Sequence, residues 1–433
     1  MLNILLILLG KSFSKLSNVL NLGAGATWPG HIALKFNPNF IRSTIGGSTK
    51  IVLIAGTNGK TTTSTLISEI LKSNGSSVVH NKSGANQLNG IASAIITGTK
   101  LFDNKLSSNY LILEVDENVL PLALRELTPD YIVCLNLFRD QLDRYGEIDS
   151  IIKKWKGSFE KLDKQTTLIL NADDPQIAFL GKDLKSKVLY FGLNENEQDI
   201  IEHGADSTYC PSCFNDLNHL SVTFSHLGNW ECPNCGEKRP KLNVSTASFY
   251  PLLGTYNKYN TLAAALFAKN EKINASVVEK TFKNFKPAFG RQEEIAIDGK
   301  KVKIFLSKNP TSFNESLSTI NSLNPKNLLI ILNDRIPDGL DVSWIWDVKT
   351  DSLSKIPNIS VSGDRTYDMG LRLKYSENGQ WSMVNSKFKI QEDLKAAIKT
   401  ALNKTPQGQT LYILPTYSAM LEVRKILKGR KIL

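Results

Sequence analysis

The chain of 433 residues is long enough for two or three domains, and its 41% hydrophobic and 21% charged residues are typical of a globular protein and exclude extensive disorder. The formal charge is +11, but the basic residues are scattered, and no run reaches the roughly five or six like charges of a nucleic-acid-binding tail. We interpret the charge as a basic surface, with an anionic substrate or lipid surface as the alternative.

The N-terminal segment MLNILLILLGKSFSKL predicts a helix. Its apolar run is too short to span a bilayer and lacks the basic start and cleavage site of a signal peptide. One helical stripe contains Leu5, Leu8, Leu9, Phe13 and Leu16, and we expect this helix to pack on the body of the protein. Because no later segment approaches 18 apolar residues, we expect a cytoplasmic protein; peripheral contact with the inner face of the membrane is the alternative for this helix.

Apolar runs rich in Val, Ile and Leu then alternate with helical stretches, which predicts an α/β fold with a central parallel sheet. The runs are KIVLIAG, YLILEVD, YIVCLNLF, TTLILNADD and KVLYFGL, and, after a polar insertion, KVKIFLSKN, NLLIILND, NISVSGD and TLYILPTY. We expect an N-terminal helical segment (1–47), a central domain (48–288) with an insertion at about 205–240, and a smaller Rossmann-like α/β domain (289–433).

A phosphate loop is predicted after the first strand, in IAGTNGKTTTSTL. Its Gly-x-x-Gly-Lys-Thr core is shorter than the usual Walker loop, but a glycine-rich turn before a helix offers backbone N–H groups to an anion. Lys60 would neutralise nucleotide phosphates, and the Thr61 hydroxyl would bind Mg²⁺. A simple turn is the alternative. The predicted nucleotide-binding residues here are Gly56, Thr57, Asn58, Gly59, Lys60, Thr61 and Thr62.

Magnesium usually takes one or two carboxylates as well. The segment LILEVDE places Glu114 and Asp116 on one face at the end of a strand, and Glu114 lies nearer the sheet. We therefore expect Glu114 to bind the metal together with Thr61. The alternative is that both carboxylates only solubilise the strand end.

Four cysteines form two Cys-x2-Cys pairs separated by eighteen residues, namely Cys210, Cys213, Cys232 and Cys235. Two such pairs predict a closed, tetrahedral and therefore structural Zn²⁺ site that can fold a polar insertion lacking a core of its own. Disulfides are the alternative. The fifth cysteine, Cys134, lies in an apolar strand and is expected to be a buried small hydrophobe.

Two later segments carry clustered polar residues. Asn257 and Asn260 lie three apart on a predicted helix and share a face that could contact adenine or ribose, although exposed polar residues are the alternative. The segment LNDRIPDGLDVSWIWD contains four aspartates, at positions 334, 338, 341 and 347. Turn chemistry alone accounts for Asp338, which precedes a glycine.

Five motifs together resemble the Mur ligase family, ATP-dependent enzymes that form amide bonds in peptidoglycan precursors. They are GTNGKTTT, NLFRDQLDRYGE (136–147), NADDP (171–175), GTYNKYNTLAAA and GRQE (290–293). The resemblance implies a Mur-ligase-like central ATPase domain, ATP and Mg²⁺ as cofactors, and catalytic roles for Lys60 and Glu114. It also implies that Arg291, in the hinge motif GRQE, contacts the nucleotide or the developing charge; Arg365 and Lys308 are weaker candidates.

Departures from the family motifs indicate a subgroup. Gln141, Tyr145 and Tyr256 stand where the family has histidines, FLSKNP replaces the usual Asp-Tyr-Ala-His-Asn-Pro, and the cysteine-bearing insertion is foreign to the ligases that add amino acids. This combination is similar to the synthetase subunit of lipid II isoglutaminyl synthase. The resemblance implies phosphorylation of the α-carboxylate of D-isoglutamate in lipid II, and its conversion to D-isoglutamine by ammonia from a glutaminase partner, GatD.

The same resemblance assigns a role to Asp341, which directly precedes a Val-Ser-Trp element. In the subgroup this aspartate orients the histidine of the partner's Cys-His pair and completes a triad shared by two chains. A capped turn without catalytic consequence is the alternative. We find no evident Cys-His pair for glutamine hydrolysis in this chain, so we expect a heterodimer.

Three other functions are compatible with parts of the sequence. A Mur-type or folylpolyglutamate-type ligase would add an amino acid instead of ammonia. A nucleic-acid-binding ATPase would account for a zinc ribbon on a basic protein, although the ribbon carries few aromatic or basic residues. A scaffold that binds ATP without turnover would show nucleotide affinity and no phosphate release.

Overall fold

The computed structural model describes residues 2–19, 27–81, 85–139, 148–195, 207–375 and 388–429. These residues form two compact units. The first contains the described residues up to 251 together with 255–285, and the second contains 252–254 and the described residues from 286 onward. Positions 141 and 145, where two of the family's histidines are replaced, lie outside the described residues.

The first unit is built around a parallel sheet, as the sequence predicted, and this sheet has six strands. In chain order they are β1 (Lys50–Ala55), β2 (Val78–His80), β3 (Tyr110–Glu114), β4 (Tyr131–Cys134), β5 (Thr167–Asn171) and β6 (Lys187–Phe191). Their order across the sheet is β2-β3-β1-β4-β5-β6. The sequence missed β2, because this strand has only three residues, all partly exposed at the sheet edge.

Helices cover both faces of this sheet. They are α1 (Leu2–Val19), α2 (Trp28–Phe36), α3 (Phe40–Thr44), α4 (Lys60–Ser73), α5 (Leu88–Gly98), α6 (Leu120–Glu126), α7 (Ile148–Phe159), α8 (Pro175–Leu180), α9 (Thr255–Asn270) and α10 (Ala275–Lys283). Successive residues of β1 point to opposite faces of the sheet. Leu53 packs in the hydrophobic cluster that includes residues of α5, and Ile54 packs in the cluster that includes residues of α4 and α9. Burial on both faces explains why these strands read as continuous apolar runs.

The N-terminal helix α1 is present, but the stripe predicted to pack on the body was wrong. Leu6, Ile7 and Gly10 are buried, whereas the exposed side chains include Leu5, Leu9, Phe13 and Leu16 of the predicted stripe. The first two turns are apolar on nearly every side, so hydrophobic periodicity could not identify the buried face. The face that contains Gly10 is buried, because the lack of a side chain there permits close packing on Ile96 and Pro29. Among the described helices, we find none that combines the length and hydropathy needed to cross a bilayer.

The cysteine-bearing insertion carries an antiparallel hairpin of β7 (Asn218–Phe224) and β8 (Leu227–Glu231). The hairpin docks on the segment after β5. There the indole of Trp230 donates to the carbonyl of Ala172, and Arg239 lies 2.7 Å from the carboxylate of Asp173. The motif NADDP therefore acts as a platform for the insertion.

The second unit is also α/β. Its strands are β9 (Arg291–Ile297), β10 (Lys300–Phe305), β11 (Asn327–Ile331), β12 (Asn358–Ser362), β13 (Phe388–Ile390) and β14 (Thr410–Pro415), in the order β13-β12-β11-β14-β10-β9. Its helices are α11 (Pro310–Ser322), α12 (Thr366–Lys374), α13 (Leu394–Lys404) and α14 (Tyr417–Lys428), with 3₁₀ turns at Ser343–Asp347 and Asp351–Lys355. The four predicted strands are confirmed. The sequence missed the edge strands β9, which is antiparallel to β10, and β13.

Candidate active site and metal centre

The predicted phosphate loop lies at the carboxyl end of β1, between its neighbours β3 and β4. The chain continues from β1 to the β2-β3 side and later returns to the β4 side, so β1 marks the point where the strand order reverses. Ligands of open α/β sheets bind in the crevice at such a point. The loop, Glu114 at the end of β3 and Asn136 just after β4 all lie at this edge of the sheet.

The backbone of the loop requires its two glycines. Gly56 and Gly59 have φ angles of +134° and +93°. A Cβ atom at Gly59 would lie 2.0 Å from Oδ1 of Asn260. Asn136 holds the intervening residues, since its carbonyl accepts from the N–H of Thr57 at 2.9 Å and its side-chain amide accepts from and donates to the backbone of Asn58. Only glycine therefore fits at position 59 while Asn260 keeps its place.

Lys60 begins α4 and folds back over the loop. Its ammonium group donates to the carbonyl of Gly56 and, at 3.3 Å, to that of Thr57. It also lies 3.4 Å from Oε2 of Glu117, a buried carboxylate that sequence reasoning missed. The sequence did contain a signal for Glu117, namely the acidic segment EVDE that begins at Glu114, but the prediction used only its first two carboxylates. Glu117 and the loop carbonyls hold the ammonium group at the mouth of the loop.

The two predicted magnesium ligands touch each other. The Thr61 hydroxyl donates to Oε2 of Glu114 at 2.9 Å, and the Ser64 hydroxyl donates to Oε1 at 3.0 Å. Two adjacent ligands of an octahedral Mg²⁺ at about 2.1 Å are about 3.0 Å apart, so this hydroxyl-carboxylate pair fits the ion. Thr61 and Glu114 would hold it.

His80 supports the charged form of Glu114. Its Nε2 lies 3.4 Å from Oε1 of Glu114, and both side chains are almost fully buried. Burial opposes ionisation of Glu114, but the adjacent His80 ring and the Thr61 and Ser64 hydroxyls outweigh it and lower the pKa of the carboxyl group. Asn81 fixes the strand end, because its side chain accepts from the Glu114 N–H and donates to the Glu114 carbonyl, both at 2.9 Å. Sequence reasoning missed both residues.

Asn257 and Asn260 share a face of α9, as predicted, but they are buried and not exposed polar residues. Asn260 accepts from the Thr63 hydroxyl at 3.3 Å and donates to Oδ1 of Asn257 at 3.1 Å. The pair therefore supports the phosphate loop from beneath at Gly59. Contact of either amide with adenine or ribose stays a prediction, as does the role of Thr62, which is buried in the first turn of α4.

The hinge motif GRQE has a clear structural role in the second unit. Gln292, at a φ of +63°, makes two hydrogen bonds with the backbone of Leu253. Glu293 accepts from the N–H of Gly290 at 3.0 Å and pairs with Arg424 and Lys428. Arg291 begins β9, and its predicted contact with the nucleotide stays a prediction.

The four clustered aspartates separate into different environments. Asp338 is buried and accepts from the N–H of Ser418 at 2.7 Å, so it joins the turn to the start of α14. Asp334 pairs with Arg365 at 3.0 Å. Asp341 is exposed and accepts from the N–H and hydroxyl of Ser343 at 2.8 and 3.0 Å, which lowers the pKa of its carboxyl group. A charged, outward-facing carboxylate is what a triad shared with a partner requires.

The four cysteines of the insertion come together. Their Sγ atoms all lie within 4.8 Å of one another, with Cys210–Cys235 and Cys213–Cys232 both at 3.5 Å. A tetrahedral zinc ion with Zn–S bonds of about 2.3 Å places its sulfurs about 3.8 Å apart, so the cluster fits the ion. Cys134, in contrast, is fully buried in β4, as predicted.

The two knuckles have the same backbone pattern. The N–H of Cys210 donates to the carbonyl of Asn215, and the N–H of Cys232 donates to that of Glu237. Residues four positions after each first cysteine, Phe214 and Gly236, both have positive φ angles, of +61° and +75°. Paired turns of this kind aim both cysteines of each pair at one point, and they indicate a structural metal centre with no open position.

Comparison with known proteins identifies the family. Residues 54–268 match the Mur ligase middle domain, and residues 306–420 match the MurT ligase C-terminal domain. The chain is 32% identical to the lipid II isoglutaminyl synthase (glutamine-hydrolyzing) subunit MurT of Streptococcus pneumoniae, over 95% of this chain and 94% of the relative. It therefore belongs to the MurT group of the Mur ligase family.

Other members and folds agree with this assignment. The MurT subunit of Staphylococcus aureus strain COL is 33% identical over 92% of this chain and 91% of the relative. Among solved structures, a pseudomurein peptide ligase type C from Methanothermus fervidus superposes with a TM-score of 0.66 and 24% identity, over 89% of this chain and 79% of that protein. That likeness establishes the Mur ligase fold. Mur ligases use ATP and Mg²⁺, in agreement with the loop and the Thr61–Glu114 pair.

Proposed function

We propose that this chain is the ATP-dependent synthetase subunit of a lipid II isoglutaminyl synthase, a ligase of peptidoglycan synthesis. It amidates the α-carboxylate of D-isoglutamate in lipid II to D-isoglutamine, with ammonia supplied by a glutaminase partner, GatD. The observation that carries the proposal is the Mur-type phosphate loop beside the buried Glu114, in a chain similar to MurT subunits along nearly its whole length.

A carboxylate needs activation before ammonia can displace one of its oxygens. A carboxylate oxygen attacks the γ-phosphorus of ATP, the bond to ADP breaks, and an acyl phosphate forms. Ammonia then attacks the acyl carbon, inorganic phosphate leaves, and the nitrogen loses a proton to give the amide. Both steps place negative charge on phosphate oxygens, which fixed cations stabilise.

The residues of the first unit have matching roles. The N–H groups of the loop and the ammonium group of Lys60 would bind the phosphates, and Thr61 and Glu114 would hold Mg²⁺, which would supply positive charge to the phosphate oxygens. Glu117 and the loop carbonyls now paired with Lys60 keep its ammonium group in position until phosphates replace them. Arg291 is proposed as a further cation.

A surface for the glutaminase lies around Asp341. Ile336, Leu340 and Trp346 lie within about five residues of Asp341 in the sequence and are exposed, and exposed apolar residues beside a charged one are typical of a protein interface. Docking of the partner there would bury the apolar side chains and bring Asp341 to the partner's histidine, where it would hold the imidazole in its working tautomer.

The cysteine cluster is proposed to hold one structural Zn²⁺. The four cysteines lie far along the sequence from the phosphate loop and Glu114. Four thiolates would leave the ion no open position for a substrate. Trp230 lies in β8, two residues before Cys232, and ties the insertion to the central sheet through its hydrogen bond to Ala172. The metal therefore stabilises the insertion and has no part in the reaction.

The proposal is tested by measuring ATP-dependent amidation of lipid II, with ammonium alone and with the glutaminase plus glutamine. Amide formation with ammonium is expected from this chain alone, and formation with glutamine only when the partner is present. Ligation of an added amino acid, with no amide from either nitrogen source, would instead identify a Mur-type or folylpolyglutamate-type ligase. ATP binding without release of phosphate would identify a scaffold.

A further inference from the structure

The helix α1 has an apolar face that nothing in the described chain covers. Leu6, Ile7 and Gly10 pack inward, while Leu2, Leu5, Leu9, Phe13 and Leu16 lie outward at spacings of three or four residues. Leu5 and Phe13 are 53% and 51% exposed. An outward stripe of five large apolar side chains is costly in water and indicates a surface that becomes buried against something else.

The neighbouring helix α2 also carries exposed aromatic side chains. The two helices run antiparallel, because Gly10 packs beside Pro29 while Asn37 donates to Asn3 at 2.8 Å. Trp28 and Phe36, each one residue before these contact points, are 67% and 66% exposed.

The middle of α1 lies beside the end of α5, because Lys11 donates to the carbonyl of Thr97 at 2.9 Å. The turn that follows α5 in the chain carries Leu101 and Phe102, both of which are exposed. The whole set, residues 2, 5, 9, 13, 16, 28, 36, 101 and 102, is called the N-terminal apolar face below.

The charges around this face have one predominant sign. No Asp or Glu occurs in the first 68 residues. Lys15, Lys35 and Arg42 are exposed on α1, α2 and α3, and Lys100 and Lys105 flank the turn after α5, where Asp103 is the single acid. An apolar stripe with Trp and Phe, bordered by Lys and Arg, is the pattern of a helix that lies in the interface of an anionic bilayer.

We infer that the N-terminal apolar face docks on the surface of an anionic lipid bilayer. The apolar side chains enter the boundary between headgroups and acyl chains, and the lysines reach the lipid phosphates. Docking depends on this face alone; its biological role, delivery of the active site to a substrate held in the membrane by its lipid, rests on the function proposed above.

A second copy of the chain is a poorer occupant of this face. Symmetric pairing would place the predominantly basic borders of two copies against each other, and like charges disfavour such an interface. A bilayer offers the opposite charge and an apolar layer together. The amphipathic helix lies flat on such a surface, in keeping with a helix too short in its apolar part to cross it.

The test is sedimentation of the full chain with vesicles that lack lipid II. We expect binding to vesicles containing phosphatidylglycerol, weaker binding to pure phosphatidylcholine, and loss of the difference at high salt. The double variant Leu9→Gln/Phe13→Gln should bind at least about tenfold more weakly. The matched control Leu220→Gln/Tyr209→Gln changes exposed apolar residues of the cysteine-bearing insertion and should bind like the wild type.

Two results would overturn the inference. One is equal vesicle binding by the wild type and the double variant, and the other is a dimer in solution that the double variant abolishes. Charge is checked separately: Lys15→Gln/Lys35→Gln should weaken binding to phosphatidylglycerol, whereas Lys161→Gln/Lys185→Gln, which changes exposed lysines elsewhere, should not.

A second measurement separates this inference from the proposed function. The double variant should amidate a water-soluble stem-peptide substrate without a lipid tail as fast as the wild type, and vesicle-embedded lipid II several-fold more slowly. If the wild type amidates neither substrate, the proposed function fails, while vesicle binding still decides the docking surface. If the variant matches the wild-type rate on both substrates, docking has no role in substrate delivery.

Discussion

The hydroxyl of Thr61 donates a 2.9 Å hydrogen bond to Oε2 of Glu114, a residue 53 positions further along the chain. The bond joins the first turn of α4 to the end of β3, across the crevice where the strand order reverses. Ser64 and His80 contact the other carboxylate oxygen. Glu114 is thus held ionised and aimed at the mouth of the phosphate loop before any ligand arrives.

Glu114→Gln removes the charge at this point and keeps the shape of the side chain. We expect kcat for ATP-dependent amidation to fall by at least about 100-fold, because the amide binds Mg²⁺ poorly. The apparent affinity for Mg²⁺ in ATP turnover should fall as well. Glu160→Gln, on an exposed turn, is the control. Wild-type turnover in Glu114→Gln would remove Glu114 from the metal site.

Gly59→Ala tests the contact between the loop and Asn260. The new Cβ would lie 2.0 Å from Oδ1 of Asn260, so either the loop or the asparagine must move. We expect the Kd for ATP to rise by more than about tenfold, measured by calorimetry. Gly75→Ala is the matched control, since Gly75 also has a positive φ, of +83°, but an added Cβ there meets nothing within 4 Å. An equal loss of ATP affinity in both variants would show that backbone strain, and not the contact with Asn260, causes the effect.

The sequence predicted those parts of the molecule that local pattern determines. Buried parallel strands read as apolar runs, and the loop residues are adjacent in the chain, so both were found. Glu117, His80 and Asn136 were missed as site residues because their roles depend on strand order, which places β3 and β4 on the two sides of β1 and β2 next to β3. The buried face of α1 was predicted wrongly, because apolar residues lie on several sides of this helix and their periodicity does not indicate a single face. Close packing at Gly10 determines which face is buried.

Removal of the metal tests the cysteine centre. Elemental analysis should find one zinc per chain, and Cys232→Ser should lose it. The insertion should then become sensitive to protease, because the hairpin β7-β8 has little apolar core of its own. Cys134→Ala, which alters the buried cysteine of β4, is the control and should keep one zinc per chain. Full zinc content in Cys232→Ser would show that the cluster is not the metal site.

Glu293 should make the stability of the second unit depend on pH. Burial of Glu293 opposes its ionisation, but Lys428, the N–H of Gly290 and Arg424 outweigh burial and lower the pKa of its carboxyl group. Because the pKa is lower in the folded state, the stabilisation is present above the unfolded pKa near 4.5 and is lost as the pH falls through the folded value.

Glu293→Gln should therefore lower the free energy of unfolding by about 2 kcal/mol at pH 7. The difference from the wild type should shrink as the pH falls below 4.5 and should vanish only below the lowered pKa of the folded state, where the wild-type carboxyl group is protonated as well. Urea titrations followed by circular dichroism, at pH 7 and at a series of lower pH values, measure it. Glu294→Gln, in the exposed pair with Lys301, is the adjacent control and should change stability by less than about 1 kcal/mol. A pH-independent difference would exclude the ionised carboxylate as the cause.

Asp341→Asn tests the shared triad. The variant keeps the acceptor oxygen for the N–H of Ser343, so the local turn should persist, but it loses the charge that would hold the partner's imidazolium. We expect the glutaminase activity of the assembled heterodimer to fall by about 10²-fold or more. ATP binding and amidation with added ammonium should stay at wild-type rates, because neither needs the partner's triad.

Asp347→Asn is the matched control, since Asp347 is also exposed and lies in the same segment, at the end of the 3₁₀ turn. Formation of the heterodimer is checked for both variants by size-exclusion chromatography, so that lost activity is not confused with lost assembly. An intact heterodimer of Asp341→Asn that hydrolyses glutamine at the wild-type rate would leave Asp341 as the cap of a turn. If glutaminase activity is lost in Asp341→Asn and kept in Asp347→Asn, the Asp341 carboxylate of this chain completes the active site of the glutaminase partner.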